Sequence, residues 1–299
     1  MNAPQRRAAR QRVDGVLLLD KPSGLSSNTA LQKARRLLNA AKAGHTGTLD
    51  PMATGLLPLT FGEATKFSQT LLDADKVYEA TVRLGSETDT GDAEGQVIAT
   101  APVNVTREAL GAALVAFRGG IEQIPPMHSA LKRDGKPLYE YARAGIEVER
   151  APRRVTIHAL DVLGFDGTEA RLRVHCSKGT YIRTLAIDLG RALGCGAHLS
   201  ALRRTAIGPF GIEDAVTLEA FEAADDRVAL LAPVDALIAH WPRIDLTPEQ
   251  GADILQGREI RGGDAVGLLR LYCEDRFLGL GERRADGRIA PKRLIATEA

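Results

Sequence analysis

Between positions 21 and 62 the sequence carries five basic side chains, Lys21, Lys33, Arg35, Arg36 and Lys42, and a single acid, Asp50. Asp50 stands in the run Gly44-His45-Thr46-Gly47-Thr48-Leu49-Asp50-Pro51-Met52-Ala53-Thr54-Gly55. The glycines allow positive φ and let a ligand approach the backbone closely. Pro51 biases Asp50 toward an extended conformation. A lone carboxylate on such a loop, held ionised by nearby cations, can serve as a nucleophile and form a covalent intermediate. The same residues also read as a helix start, with Asp50 as N-cap and Pro51 at the first helical position. The isolation of Asp50 speaks against a two-carboxylate glycosidase and against a clustered metal site.

Other chemistry is sparse. Cys176, Cys195 and Cys273 are widely spaced and form no CxxC pair. They read as free thiols of a reducing compartment, not as a structural zinc site. There is no GxGxxG, no Walker loop and no deaminase HxE…PCxxC pattern, so neither a cofactor nor a metal is expected. The acidic turn Thr88-Asp89-Thr90-Gly91-Asp92 lacks the spacing of a calcium loop. Taken by residue pattern alone, Arg183 is a solvated cation at a helix start, Tyr78 and Leu202 are core residues, and His45 is a loop histidine.

Regular elements must position these groups. Gly15 to Leu19 reads as a short buried strand stopped by the turn Asp20-Lys21-Pro22-Ser23-Gly24. Ser26 or Ser27 can cap a helix with Ala30, Leu31, Ala34, Leu37 and Leu38 on one face. VYEATVRL (77–84) alternates as a strand, and a polar loop from Gly85 to Gly95 follows. Residues 106–117 form a capped amphipathic helix in this reading, and 155–163 and 170–176 form strands. Thr180 can cap a helix that Gly194 ends. Residues 213–226 hold six acids and no base, a solvated helical stretch nearing a domain boundary. From about Arg243 a short helix and brief strands joined by charged turns give a small β-rich C-terminal domain.

The chain has 299 residues, which suggests about two domains. With 44% hydrophobic and 26% charged residues it can bury its own core, so collagen, disulfide-built and wholly disordered classes are excluded. No apolar run approaches the ~18 residues of a membrane span. The N-terminus lacks a secretion signal, so a cytoplasmic, membrane-free protein is expected. Net charge is only +1, but the sequence contains 30 Arg against 9 Lys, and the planar Arg fork suits phosphates and base edges. Residues 1–12, with four Arg and no acid, read as a disordered basic arm.

Five segments carry a resemblance. GVLLLDKPSGLSS (15–27), AGHTGTLDPMATGLLPLTFGEATKF (43–67), Tyr78 with TDTGDAEG (88–95), IEQIPPMHSALK (121–132) and HCSKGTYIRTLAIDLG (175–190) together resemble the bacterial tRNA pseudouridine-55 synthases, the TruB family. The match runs in order from about 13 to 210, and GRIAPKRLI near the C-terminus is similar to the family's small RNA-binding domain of PUA type.

The resemblance implies an α+β pseudouridine synthase fold with a mixed, largely antiparallel sheet over 13–240, and a PUA-like domain over 243–299. It implies cofactor-free isomerisation of uridine 55 in the T-loop of tRNA, with the T-stem and T-loop as partner and a monomer as the expected state. Asp50, in the GHTGxLDP word, would be the catalytic aspartate. Arg183 would pair with it, and Asp92 would complete an Asp–Arg–Asp network. Tyr78 would stack on the flipped uracil and take part in proton transfer, and Leu202 would wall the base pocket. His45 would fill the gap left in the RNA loop. Lys21 would hold a phosphate or a loop carbonyl, and Pro22 would be structural. His128 departs from the tyrosine expected there. Residues 132–154 hold seven bases and four acids and read as an RNA-facing insertion or a solvated face. Two other functions stay open on the residues: a non-catalytic RNA-binding module, and a hydrolase that would need a second carboxylate.

Overall fold

The computed structural model describes residues 9–262, 264 and 266–296. The first half runs β1 (Gly15–Lys21), α1 (Ser27–Leu37), β2 (Ala43–His45), β3 (Thr54–Phe61), α2 (Ser68–Leu72), β4 (Lys76–Leu84), β5 (Ser86–Thr88), β6 (Val97–Thr100), α3 (Arg107–Val115) and β7 (Gly119–Gln123). The ribbon β8 (Lys132–Arg133) and β9 (Lys136–Pro137) leads to α4 (Leu138–Arg143). Then come β10 (Arg153–Phe165), β11 (Glu169–Cys176), α5 (Ile182–Ala192), β12 (Ala197–Ile207), β13 (Phe210–Gly211), β14 (Val216–Thr217) and α6 (Leu218–Ala223). The C-terminal elements are β15 (Arg243–Leu246), α7 (Pro248–Leu255), β16 (Ile260–Arg261), β17 (Gly267–Cys273), β18 (Arg276–Arg283) and β19 (Arg288–Leu294).

One ten-stranded sheet carries the site, in the order β14-β1-β3-β12-β4-β11-β10-β7, with β2 beside β3 and β13 beside β12. Its pairs are antiparallel except β1–β14 and β3–β12. The expected mixed, largely antiparallel sheet is therefore what forms. The uninterrupted apolar run of β1 has a simple cause. Leu17 and Leu19 face the main core, while Val16 and Leu18 face a second core on the other side. A strand covered on both faces has no polar alternation. In α1, Ser26 caps the helix by accepting the Thr29 N–H at 3.1 Å, and Ala30, Leu31 and Ala34 are buried.

The last five strands form their own sheet, β15-β17-β18-β19-β16, around a small core of Leu246, Ile254, Leu269, Leu271 and Ile289. This β-rich unit is not isolated. Phe277 and Leu280 pack in the second core with Val16, Leu56, Phe67 and Leu237, and Phe67 meets Phe277 edge-to-face at 5.7 Å.

Several expectations are corrected. The stretch 213–226 is helical over Leu218–Ala223 and its six acids are exposed, as expected, but it is also anchored: Val216 pairs with Leu19, and Leu218 and Phe221 are buried in the main core. Its acids lie around two inward apolar residues one helical turn apart, so the charge masks the packing. The polar loop after Gly85 contains β5, which pairs with β6. Thr180 does not cap α5: its hydroxyl donates to the Ser177 carbonyl at 2.9 Å, and Tyr181 occupies the cap position. The arm expected over 1–12 lies outside the described residues as far as residue 8. Gln11 and Arg12 are ordered: the Gln11 backbone bonds Asn39 and Ala41, and Arg12 reaches Asp14 and the Ala296 carbonyl.

Candidate active site

Asp50 sits on the loop between β2 and β3, and no helix follows it. The helix-cap reading therefore falls. The loop is pinned from below by the turn after β1. Ser27 exchanges two hydrogen bonds with Leu49, and the Gly24 N–H donates to the Pro51 carbonyl at 2.8 Å. Lys21 is fully buried, and its ammonium donates to the carbonyls of Pro22 (2.8 Å), Leu25 (2.7 Å) and Pro51 (3.3 Å). Of the two roles expected for Lys21, holding loop carbonyls is the one seen; a buried ammonium with these partners is not placed to grip a phosphate. Burial brings its pKa down to about 8, opposed by the neighbouring Asp50 charge. Past the loop, Gly55 takes φ +102°, and a Cβ there would lie 2.2 Å from the Arg204 carbonyl oxygen. Only glycine lets β3 and β12 close on each other here.

Arg183 lies in the first turn of α5 and points inward. Its Nε stands 2.9 Å from Asp50 Oδ2, and its Nη2 donates to Asp50 Oδ1 at 3.2 Å, a two-point grip. Nε is also 3.5 Å from Asp92 Oδ2. The remaining donors reach backbone: Nη2 the His128 carbonyl at 2.6 Å, Nη1 the Thr90 carbonyl at 3.2 Å. The Asp92 carboxylate is held in turn by the Thr90 hydroxyl and the Glu94 N–H. Side-chain exposures of 5% for Arg183 and 4% for Asp92 contrast with 32% for Asp50. The network is thus sealed except at Asp50, which opens to a cleft. The solvated reading of Arg183 is overturned. Gly91 (φ +75°) allows the approach, since a Cβ there would lie 2.6 Å from Ile187 Cδ1 on α5.

The cleft has a volume of about 290 Å³, near the lower end for small-ligand sites. Asp50, Tyr78, Arg183, Leu202, Arg204 and Ser129 are among its walls. Tyr78 and Arg204 are register partners across β4 and β12, and Leu202 lies on the same strand face. Burial raises the Tyr78 phenol pKa, so the ring meets the cleft uncharged. Burial also raises the Asp50 carboxyl above its ordinary value; Arg183 and Lys21 oppose this and Asp92 adds to it. The expected cations thus do favour the ionised form, but burial outweighs them. Among the basic residues near it in sequence, Lys21 acts on Asp50, whereas Arg35 is spent on the Ala40 and Ala41 carbonyls.

His45 is not among the cleft walls. It lies on β2 opposite Leu59, its Nδ1 is buried without a partner, and burial lowers its pKa. His128 joins through its backbone carbonyl, so its departure from tyrosine leaves that contact intact. Three contributors escaped sequence reasoning. Arg204 is almost fully buried and donates to the carbonyls of Leu56 (2.7 Å) and Gly47 (3.3 Å). Ser129 has a buried hydroxyl with no partner at the cleft wall. Ser27 looks like an ordinary capping serine in sequence. Nothing local marks Arg204 and Ser27, because each bonds a segment distant in the chain, and the place of Ser129 on the cleft wall is likewise set by the fold. Among the described residues, the group of three His, Cys, Asp or Glu donors that converges is Asp75, His158 and His175, which does not line the cleft.

Residues 35–182 match the TruB family pseudouridylate synthase N-terminal domain. Residues 183–239 match the tRNA pseudouridylate synthase B C-terminal domain, and 242–295 the C-terminal domain of pseudouridine synthase II TruB. The tRNA pseudouridine synthase B of Aromatoleum aromaticum is 70% identical over 99% of this chain and 97% of its own length. That of Azoarcus sp. is 68% identical over 98% and 99%. Among solved structures, a Cbf5-Nop10-Gar1 complex is similar at TM-score 0.68 and 30% identity, covering 90% of this chain and 78% of that one. An H/ACA RNP bound to a substrate RNA containing 2'-deoxyuridine has the same fold, at TM-score 0.70 and 24% identity over 95% and 85%.

Proposed function

The chain belongs to the TruB family of pseudouridylate synthases, and from this premise we propose that it converts uridine 55 in the T-loop of tRNA to pseudouridine, using Asp50 on a base flipped out of the loop. The observation that carries the reading is the Asp50 carboxylate, gripped at two points by a sealed arginine and open only to a cleft walled by Tyr78 and Leu202. Relatives at up to 70% identity bearing the name tRNA pseudouridine synthase B support tRNA as the RNA.

The reaction is an isomerisation. The C1′–N1 bond breaks, the uracil turns within the cleft, and a C1′–C5 bond forms. C5 gives up its proton and N1 gains one, so nothing is added or released. Asp50 supplies the negative oxygen, by attack on the ribose, by addition to the uracil ring, or by assisting elimination to a glycal. Arg183 aims that oxygen and limits the rise of its pKa. Tyr78 and Leu202 offer a flat and an apolar surface to the loosened base. Ser129 offers a hydroxyl to a polar edge of the nucleoside. A uridine stacked in its loop cannot reach a carboxylate recessed in this way, which favours flipping at a cost of a few kcal/mol. His45, on the strand leading into the Asp50 loop, is the ring suited to fill the gap. The C-terminal β unit grips the tRNA by backbone and shape.

The test is an unmodified tRNA transcript incubated with the protein, with pseudouridine mapped at single-nucleotide resolution. Product at position 55 with wild type and none with Asp50→Asn or Asp50→Ala is expected. Product from either variant overturns the assignment.

A further inference from the structure

From the opposite face of the large sheet we infer a second site: Asp75, His158 and His175 bind a divalent transition metal, with zinc as the fitting ion. His175 is the register partner of Val77. Cross-strand partners share a face and neighbours along a strand alternate, so His175 points away from the face that bears Tyr78. The site is therefore separate from the cleft.

A β-bulge builds it. Ile157 pairs with Cys176 and Ala159 with His175, so His158 is an extra residue on β10. A bulged residue is re-aimed relative to its strand. Here the re-aimed ring lies beside that of His175, with centroids 4.8 Å apart. Both rings turn Nε2 toward one carboxylate oxygen of Asp75, at 3.2 Å from His158 and 4.0 Å from His175. The Asp75 backbone is held in place, since its carbonyl accepts the Gly208 N–H at 2.9 Å.

The spacing suits a metal. Two ligands of a tetrahedral zinc ion, at bonds of about 2.0–2.1 Å, stand roughly 3.3 Å apart. All three donor atoms lie within 4.8 Å of one another, so a small side-chain adjustment closes the shell. Two imidazoles and one carboxylate form a borderline donor set that favours zinc and its neighbours over calcium or magnesium. The side chains are 37–48% exposed, so an ion can enter and water can complete its coordination. The bound ion would tie the 75–78 segment, which carries Tyr78, to the β10–β11 hairpin.

The full chain, stripped with a chelator and held at neutral pH, is titrated with zinc chloride in a calorimeter. Cobalt(II) absorption serves as a second readout. One equivalent of zinc is expected to bind, with four-coordinate cobalt bands and a rise in melting temperature. His158→Ala and His175→Ala should each weaken binding at least tenfold, and Cys273→Ser should leave it unchanged. No zinc uptake by the wild type, uptake that survives both histidine substitutions, or uptake that disappears with Cys273→Ser overturns the assignment.

Discussion

Ser27 and Leu49 exchange a reciprocal pair of hydrogen bonds: the serine Oγ accepts the Leu49 N–H at 2.8 Å and donates to the Leu49 carbonyl at 3.0 Å. One buried hydroxyl on α1 thereby satisfies both backbone groups of the residue before Asp50. Ser27→Ala leaves those groups unpaired, at a cost of about 1–3 kcal/mol. Denaturant unfolding should show that loss. Turnover should fall more than tenfold with tRNA affinity little changed, because only the aim of the carboxylate suffers. Unchanged turnover would make the pair purely structural.

Asp50→Asn should abolish pseudouridine formation without lowering the melting temperature at neutral pH. Burial raises the Asp50 pKa in the folded protein. The native state therefore holds that proton more tightly than the unfolded chain does. Its stabilising share is present at low pH and is lost as pH rises through the raised value. At neutral pH the ionised group opposes folding, and asparagine removes that charge. A marked fall in melting temperature would assign Asp50 a structural role.

The raised pKa also places the acid limb of the turnover profile above the ordinary aspartate value of about 3.9. Arg183→Lys keeps a positive charge but loses the planar two-point grip. Turnover should drop about 100-fold or more, with tRNA binding within about tenfold, or ~1.4 kcal/mol. The acid limb should move to higher pH, because Arg183 holds the carboxyl down. A limb that stays in place would show that Arg183 does not control the protonation of Asp50.

Gly55→Ala should destabilise the fold severely. The left-handed backbone alone costs roughly 1–2 kcal/mol for a residue with a Cβ. The added atom also meets the Arg204 backbone, which cannot give way as a side-chain tip would. Thermal unfolding checks this, and a variant within 1 °C of wild type would contradict the close strand approach.

Binding of tRNA should weaken steeply as salt rises, because phosphate contacts release counterions. A filter-binding titration at several salt concentrations gives the slope. A flat response would remove the phosphate contacts from the proposal.

Much of the catalytic frame is legible along the chain because its signals are local. The apolar run of β1, the serine cap of α1, the alternation of β4 and the single acid among cations each depend on a few neighbouring residues. The resemblance of the motif words to one family does the rest, and it brings Asp50, Arg183, Asp92, Tyr78 and Leu202 to one place as expected. Tertiary structure decides what depends on distant partners. It makes Lys21 a buried clamp on loop carbonyls, keeps His45 off the cleft wall, and anchors the acidic 213–226 stretch through Leu218 and Phe221. It also reverses the electrostatics of Asp50. Sequence proximity counts the cations nearby, but a pKa follows desolvation and the charges in actual contact, and those are set only when α5, β12 and the 88–95 turn close over the loop.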